Sequence, residues 1–441
     1  MDRSAIRERI EESYKKVEAR VERDIEKYRK GNFSLSVIDA SGAPVEGATV
    51  SVALKNHAFR FGANVFMIDE LETEEKNEIY KERFKELFNL ATLPFYWKGN
   101  EPEEGLLRYD EDSPRVYRRP STDKCLRFCE ENGIEPREHG LAYGSTGFAF
   151  PEWLKEKSIE ETKALLEKRF CEISERYADK IPTIEVTNEA GRFTPNSSFY
   201  LEPDYMPFCY KLAEKYFPNN KIAINEDSKL SWNTRAGEWA QYYMEIEKLL
   251  GMGCRIDVIG MQYHMFCKRE VEKAHTTHYY DFEHLLWILD TYAKLGKPLE
   301  ITEISIPAYS WEREDEELQA DIIERLYKLW FSHPAMEKII YWNLVDGYAH
   351  AAEPGDMTVG ENYYYAGLLR FDMSKKPAFE VIDRLIHETF STKETLSSGR
   401  DGITSFRGFY GVYEYTVTKD GKSYHGTLDL AKDASHLEIR I

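Results

Sequence analysis

The sequence predicts an α/β protein, a (β/α)8 barrel carrying a small β-module made from the two ends of the chain. Three observations predict it. Short apolar strands alternate with amphipathic helical stretches eight times through the middle of the chain. Ionisable residues gather at the C-terminal ends of those strands, the face on which barrel enzymes carry their reacting groups. Alternating β patterns flank this central run on both sides.

The bulk properties fit. A chain of 441 residues suits one barrel plus an accessory module. Hydrophobic content of 42%, with 29 Tyr, 23 Phe and 8 Trp, is enough for a large core. The surplus of rings serves either to line a cleft or to cover surface between helices. A formal charge of −19 argues against nucleic acid and against anionic membrane surfaces as partners. A neutral substrate is compatible with that charge, whereas a polyanionic one would need a local basic pocket.

Met1 to Lys30 is charged throughout and has no apolar h-region, and no later apolar run approaches roughly eighteen residues. Neither a signal peptide nor a membrane span is therefore expected. The six cysteines (Cys125, Cys129, Cys171, Cys209, Cys254, Cys267) are scattered without a CxxC or Cys/His cluster. Buried free thiols are expected, and with them a cytoplasmic location, or a secreted one if an export signal has been removed.

Residues 1–31 read as one amphipathic helix, with Ile6, Ile10, Tyr14, Val17, Val21, Ile25 and Tyr28 on one stripe. The stripe either packs on its own domain or dimerises, which leaves monomer or homodimer open. Residues 32–56 alternate from Phe33 and again from Ala48 around an Ala40-Ser-Gly-Ala-Pro turn, the pattern of a β-hairpin. Residues 400–441 carry three more alternating strands, from Phe409, Ser423 and His436. Neither piece is stable alone, so the two are expected to join into one module that braces the barrel or binds carbohydrate.

The barrel is assigned to residues 57–390. Its strands are read as Phe59–Phe66, Leu90–Leu93, Glu138–Gly144, Thr183–Glu189, Lys221–Glu226, Ile256–His264, Leu299–Ser305 and Lys338–Asp346. Their C-terminal ends carry Asn188 and Glu189, Asn225 and Glu226, Gln262 and His264, Glu303, and Asp346. Any one such residue is explained by a strand reaching solvent or capping a helix. Five together point to chemistry. Glu189 and Glu303 facing across a barrel mouth suit glycosidic hydrolysis, which needs a proton donor and a nucleophile or base.

On these residues the sequence resembles glycoside hydrolase family 10, the xylanases. Thr187-Asn-Glu-Ala resembles the acid/base motif, Leu299-Glu-Ile-Thr-Glu-Ile the nucleophile motif, and Ile256 to His264 the sixth strand. Phe61-Gly, Phe88-Asn with Thr92, Trp97 with Glu101-Pro-Glu-Glu-Gly, His139, Asn225, Trp342 with Asp346, and Lys376-Pro-Ala-Phe follow in the family's order. The resemblance covers roughly residues 57 to 388.

It implies a retaining hydrolase with Glu189 as acid/base and Glu303 as nucleophile, no metal and no organic cofactor. It implies that Asn188 meets the sugar 2-hydroxyl, that Gln262 and His264 position Glu303, and that Trp342 forms floor or wall beneath the reacting ring. His139, Asn225, Tyr143, Trp97 and His350 complete the expected substrate-binding set. The implied partner is a carbohydrate: xylan, a xylo-oligosaccharide or another β-glycoside.

The sequence also departs from the family. Leu93-Pro-Phe-Tyr-Trp is about two residues short, with Tyr96 where a Lys stands; Tyr143-Gly144 replaces a Trp-His pair; His350 matches a tryptophan. Ser305 replaces the aspartate that orients the histidine, and a strand-five tyrosine is replaced near Asp227. Three functions stay open: a xylanase or xylo-oligosaccharide hydrolase, a related enzyme for a decorated or aryl/plant glycoside, and a non-catalytic carbohydrate binder.

Overall fold

The computed structural model describes residues 3–145, 147, 149–191 and 198–441. The chain opens with helices α1 (Ser4–Lys15) and α2 (Glu18–Tyr28), followed by strands β1 (Lys30–Ile38) and β2 (Thr49–His57). Eight parallel strands then close a barrel: β3 (Arg60–Asn64), β4 (Leu90–Pro94), β5 (Glu135–His139), β6 (Thr183–Asn188), β7 (Lys221–Glu226), β8 (Val258–His264), β9 (Leu299–Ser305) and β10 (Met336–Tyr341). Each strand pairs with its sequence neighbours, and β10 returns to β3. This is the expected (β/α)8 barrel, with helices such as Ile159–Tyr177 and Arg313–Ser332 between the strands.

Strand boundaries shift from the sequence reading, most at the third and eighth strands. The third strand is Glu135–His139, not Glu138–Gly144. Leu141 and Ala142 still donate to the Glu185 and Val186 carbonyls at 2.9 Å, but as an irregular extension beyond the ladder. An apolar Gly-Leu-Ala run has no period to distinguish the two states. The eighth strand ends at Tyr341, and Asp346 lies in the loop beyond it.

The N-terminal stripe forms two helices and not one. The chain tightens at Lys16 and Val17, whose amides reach back three residues to Ser13 and Tyr14. The apolar stripe continues through the break, burying Ile6, Ile10, Tyr14, Val17 and Val21 against the barrel's own helices. Tyr14 packs edge-on to Phe282 at 5.2 Å, and Arg3 pairs with Glu272 at 2.6 Å.

The expected hairpin is also corrected: β1 and β2 do not pair with each other. Strands β11 (Lys393–Ser397), β12 (Ile403–Phe409), β13 (Gly411–Lys419), β14 (Lys422–Leu430) and β15 (His436–Arg440) complete two small sheets. One runs β12-β1-β15 and the other β11-β2-β13-β14. Phe33, Leu35 and Val37 of β1 meet Val50, Val52, Tyr413, Val417 and Leu428 in a shared core. The turn therefore carries the chain from one sheet of a sandwich to the other.

All six cysteines are free, and all but Cys171 are buried. Among the described residues no helix is long and apolar enough to cross a membrane.

Candidate active site

The strand ends bring eight side chains into one hydrogen-bonded set at the barrel mouth. Strand β6 ends in Asn188, and Glu189 follows in the left-handed region with φ 50°, a strained conformation for a residue with a side chain. Strand β7 contributes Asn225, β8 Gln262 and His264, and β9 Thr302, Glu303 and Ser305. These residues are 8% exposed or less, apart from the partly buried His264.

Glu303 accepts from Asn225 Nδ2 at 3.0 Å on Oε1 and lies 3.0 Å from His264 Nε2 on Oε2. The Thr302 hydroxyl donates to Asn225 Oδ1 at 2.7 Å, which turns the Asn225 amide nitrogen toward Glu303. His264 Nδ1 lies 2.9 Å from Ser305 Oγ. A serine hydroxyl can donate where an aspartate can only accept. A ring proton on Nε2 therefore satisfies both contacts, with Nε2 donating to Glu303 and Nδ1 accepting from Ser305.

Glu189 accepts from Gln262 Nε2 at 2.9 Å and from the Tyr143 hydroxyl at 2.9 Å. Burial first, and the neighbouring Glu189 second, push the Tyr143 phenol well above its ordinary range, so it stays a donor. Asn188 links the two carboxyl groups. Its Oδ1 accepts from Gln262 at 3.1 Å and from Asn225 at 2.9 Å. With Oδ1 used twice, the Nδ2 donors are what Asn188 offers the cleft.

Beneath this set lies a buried charged layer that the sequence reading missed. Arg137 pairs with Glu185 at 2.7 Å and Glu300 at 3.0 Å, and Lys338 with Glu300 at 3.0 Å. Glu185 also holds His139 Nδ1 at 2.7 Å. Burial opposes charge on His139, but Glu185 and then Glu303, 3.9 Å from Nε2, outweigh it and raise its pKa. Apolar strand patterns hide such residues, because charges paired inside a barrel look like exposed positions in sequence.

The cleft above has a volume of about 360 Å³. Of the expected residues, Tyr143, Asn188, Glu189, His264, Glu303, Trp342 and His350 line it. His139, Asn225 and Gln262 lie behind that wall, buried and holding the lining residues in place. Trp97 is the exception. It is 3% exposed, its Nε1 donates to Glu101 at 2.8 Å, and it packs on Phe150 and Trp153 away from the cleft. Asp346 is likewise structural, accepting from Gly367 N at 2.7 Å and pairing with buried Lys376 at 3.2 Å.

Aromatic walls complete the cleft. Trp342 stands edge-on to His139, His264 and Phe66 at 5.6, 5.7 and 5.3 Å. Phe266 stacks between His264 and Tyr364 at 4.5 and 5.0 Å. From the loop after β10, His350 and Tyr364 reach the cleft, while Tyr348 turns away to bond Glu72 at 2.6 Å. Burial first, then Arg119 and Arg118, hold the His350 pKa down to about 4, so its ring is neutral near neutral pH. Gly144 has no room for a side chain, since a Cβ there would lie 2.7 Å from the Tyr200 ring. Phe66, Arg118, Arg119, Phe266 and Glu361 line the cleft without having been singled out in sequence.

A barrel with paired glutamates at its mouth defines the class; comparison with known proteins defines the family. The model of glycosyl hydrolase family 10 matches residues 53–384, and the chain belongs to that family. It is 27% identical over 419 residues to the anti-sigma-I factor RsgI6 of Acetivibrio thermocellus, covering 94% of this chain and 48% of that protein. It is 22% identical over 423 residues to endo-1,4-beta-xylanase 2 of Arabidopsis thaliana, covering 94% and 35%. The chain thus spans about half or less of these relatives' length. Xylanase 10B from Thermotoga maritima shares the fold with a TM-score of 0.58 at 22% identity, over 75% of this chain and 96% of that one.

Proposed function

We propose that this chain is a retaining glycoside hydrolase that cleaves β-1,4-xylosidic bonds in xylan or xylo-oligosaccharides, with Glu303 as nucleophile and Glu189 as acid/base. The observation that carries the reading is the unbroken chain Glu189–Gln262–Asn188–Asn225–Glu303, which holds two carboxyl groups at one cleft in fixed relation. Preorganised donors around two carboxyls are what double displacement requires.

In the first step a Glu303 oxygen bonds to the anomeric carbon as the bond to the leaving oxygen breaks. The Glu189 proton passes to that oxygen. In the second step the Glu189 carboxylate takes a proton from water, whose oxygen bonds to the anomeric carbon. The ester to Glu303 breaks and both groups are restored. Asn188 Nδ2 donates to the sugar hydroxyl beside the reacting carbon, and Trp342 supplies the apolar wall against the ring.

A second reading, a related hydrolase for another β-glycoside, is favoured by Tyr96. It stands where the family has a lysine, and its hydroxyl is committed to His139 at 2.8 Å, leaving a ring in place of a donor. One panel tests both: xylohexaose, cellohexaose, and aryl β-xyloside, β-xylobioside, β-glucoside and β-galactoside. Cleavage of xylohexaose to shorter products supports the first reading. Silence there with turnover of another glycoside supports the second. Binding without any turnover would leave a carbohydrate-binding protein and remove both.

A further inference from the structure

Two arginines line the cleft, and neither is matched by a carboxylate among the described residues. Arg118 and Arg119 sit on the loop before the helix Thr122–Asn132, and both are buried, at 2% and 7% exposure. Arg118 is held at φ 59°, a costly conformation for a side-chain-bearing residue. Its guanidinium donates to the Tyr348 carbonyl and, at 3.0 Å, to Asn343 Oδ1. Its Nε has no partner among the described residues.

Arg119 is less committed. Its guanidinium lies over the Tyr96 ring at 4.2 Å and the Phe66 ring at 5.2 Å. Its one hydrogen bond among the described residues runs from Nη1 to the Arg118 carbonyl at 2.7 Å. No carboxylate among the described residues comes within 4.0 Å of either arginine. Glu361 faces the same cleft, but Asn343 Nδ2 holds it at 2.9 Å. Burial pushes the Arg119 pKa down to about 10, with Arg118 adding to that shift, yet it remains charged at neutral pH.

Burying a charge without a counter-charge is costly, and such charges are normally paired. Ring contacts on the face of a guanidinium leave its edge, where the N–H groups lie, for an in-plane acceptor. The chain's net charge of −19 makes this local excess of positive charge more pointed. The nearby Glu189 and Glu303 would repel a free anion, so the group has to arrive attached to a sugar that the cleft already grips.

We propose that Arg119, supported by Arg118, binds a carboxylate carried by the substrate, so that the cleft selects a glycoside bearing a uronic acid over its neutral counterpart. This rests on the chain being a glycoside hydrolase and specifies its substrate class. Bidentate pairing of guanidinium with carboxylate supplies both strength and orientation.

The test uses substrates matched except for the carboxylate: an aryl β-glucuronide against the aryl β-glucoside, and a uronosyl-branched xylo-oligosaccharide against the unbranched one. The expected result is a preference for the charged member of at least one pair by about tenfold or more in kcat/KM. In Arg119→Met, which keeps the stem over Tyr96, the ratio of charged to neutral is expected to fall toward one, whatever the absolute rates. Should that variant not fold, the wild-type ratio is measured from about 0.05 to about 0.5 M salt, and screening should shrink it.

Equal or better use of the neutral member in both pairs overturns the proposal, as does a preference that survives both the substitution and the salt. If neutral glycosides turn over without charge preference, only this inference falls. If nothing turns over, the hydrolase reading falls, and calorimetric binding of the same pairs decides the arginine's role by the same ratio.

Discussion

His264 Nε2 lies 3.0 Å from Glu303 Oε2, and the other nitrogen of the same ring is closed by Ser305 Oγ at 2.9 Å. The Ser305 hydroxyl thus fixes the ring that faces Glu303. Ser305→Ala is expected to free that ring and to lower kcat by about 10–100-fold with KM little changed. An unchanged kcat would mean that Ser305 does not hold His264 in place.

Glu303 has donors on both oxygens and lies at the cleft surface. Glu303→Ala is expected to lower kcat by at least about a thousandfold. Added azide should restore turnover and give a glycosyl azide of inverted configuration, identified by NMR. Rescue with retained configuration would assign the nucleophile elsewhere.

Glu189 is held by Gln262 and Tyr143 from two sides. If it protonates the leaving oxygen, Glu189→Ala should slow unactivated oligosaccharides by about 10²–10⁴-fold. Aryl glycosides with good leaving groups should lose far less in the glycosylation step. Equal losses on both would remove Glu189 from the acid role.

Glu138 lies inside the barrel, where Oε2 accepts from Glu185 N at 2.7 Å and Oε1 has no partner among the described residues. Burial, and then the Glu185 charge, push its pKa up to about 8 from 4.5. The folded state thus holds a proton that the unfolded chain releases above pH 4.5. Its stabilisation is complete below that pH and is lost as pH rises toward 8. Glu138→Gln is expected to match the wild type near pH 5 and to exceed its Tm by several degrees near pH 9. Parallel Tm–pH curves for the two proteins would contradict this.

Gly144 abuts Tyr200, and a Cβ there would lie 2.7 Å from the ring. Gly144→Ala is expected to cost about 1–3 kcal/mol in chemical denaturation. The same change should cost much less in a Tyr200→Ala background, because the two residues share one space. Additive losses would show that the ring is not what excludes the side chain.

Much of the scaffold was legible in sequence. The eight strands, the residues at their ends and the stripe on the N-terminal segment follow from local rules, since burial on one face writes a period of 2 or 3.6 into the chain. Motif order made Asn188, Glu189, Gln262, His264 and Glu303 recognisable as one set. The boundaries of β5 and β10 were less so, because an apolar run reads the same inside and just beyond a ladder.

What the sequence by itself determined is which apolar residues are buried and which strand ends carry chemistry. Tertiary structure alone decided what those residues meet. Strands β1 and β2 read as partners but lie in facing sheets, because alternation specifies an inward face and not the neighbour that covers it. Trp97, adjacent to the cleft in sequence, points away from it, and Arg118 and Arg119, on a loop with no period to read, point into it. Arg137, Glu185, Glu300 and Lys338 look like surface charges one at a time and become an interior layer only when four strands bring them together. The physical reason is common to all of these. Periodicity records exposure along one element, whereas pairing of charges, facing of sheets and lining of a cleft are relations between elements far apart in the chain.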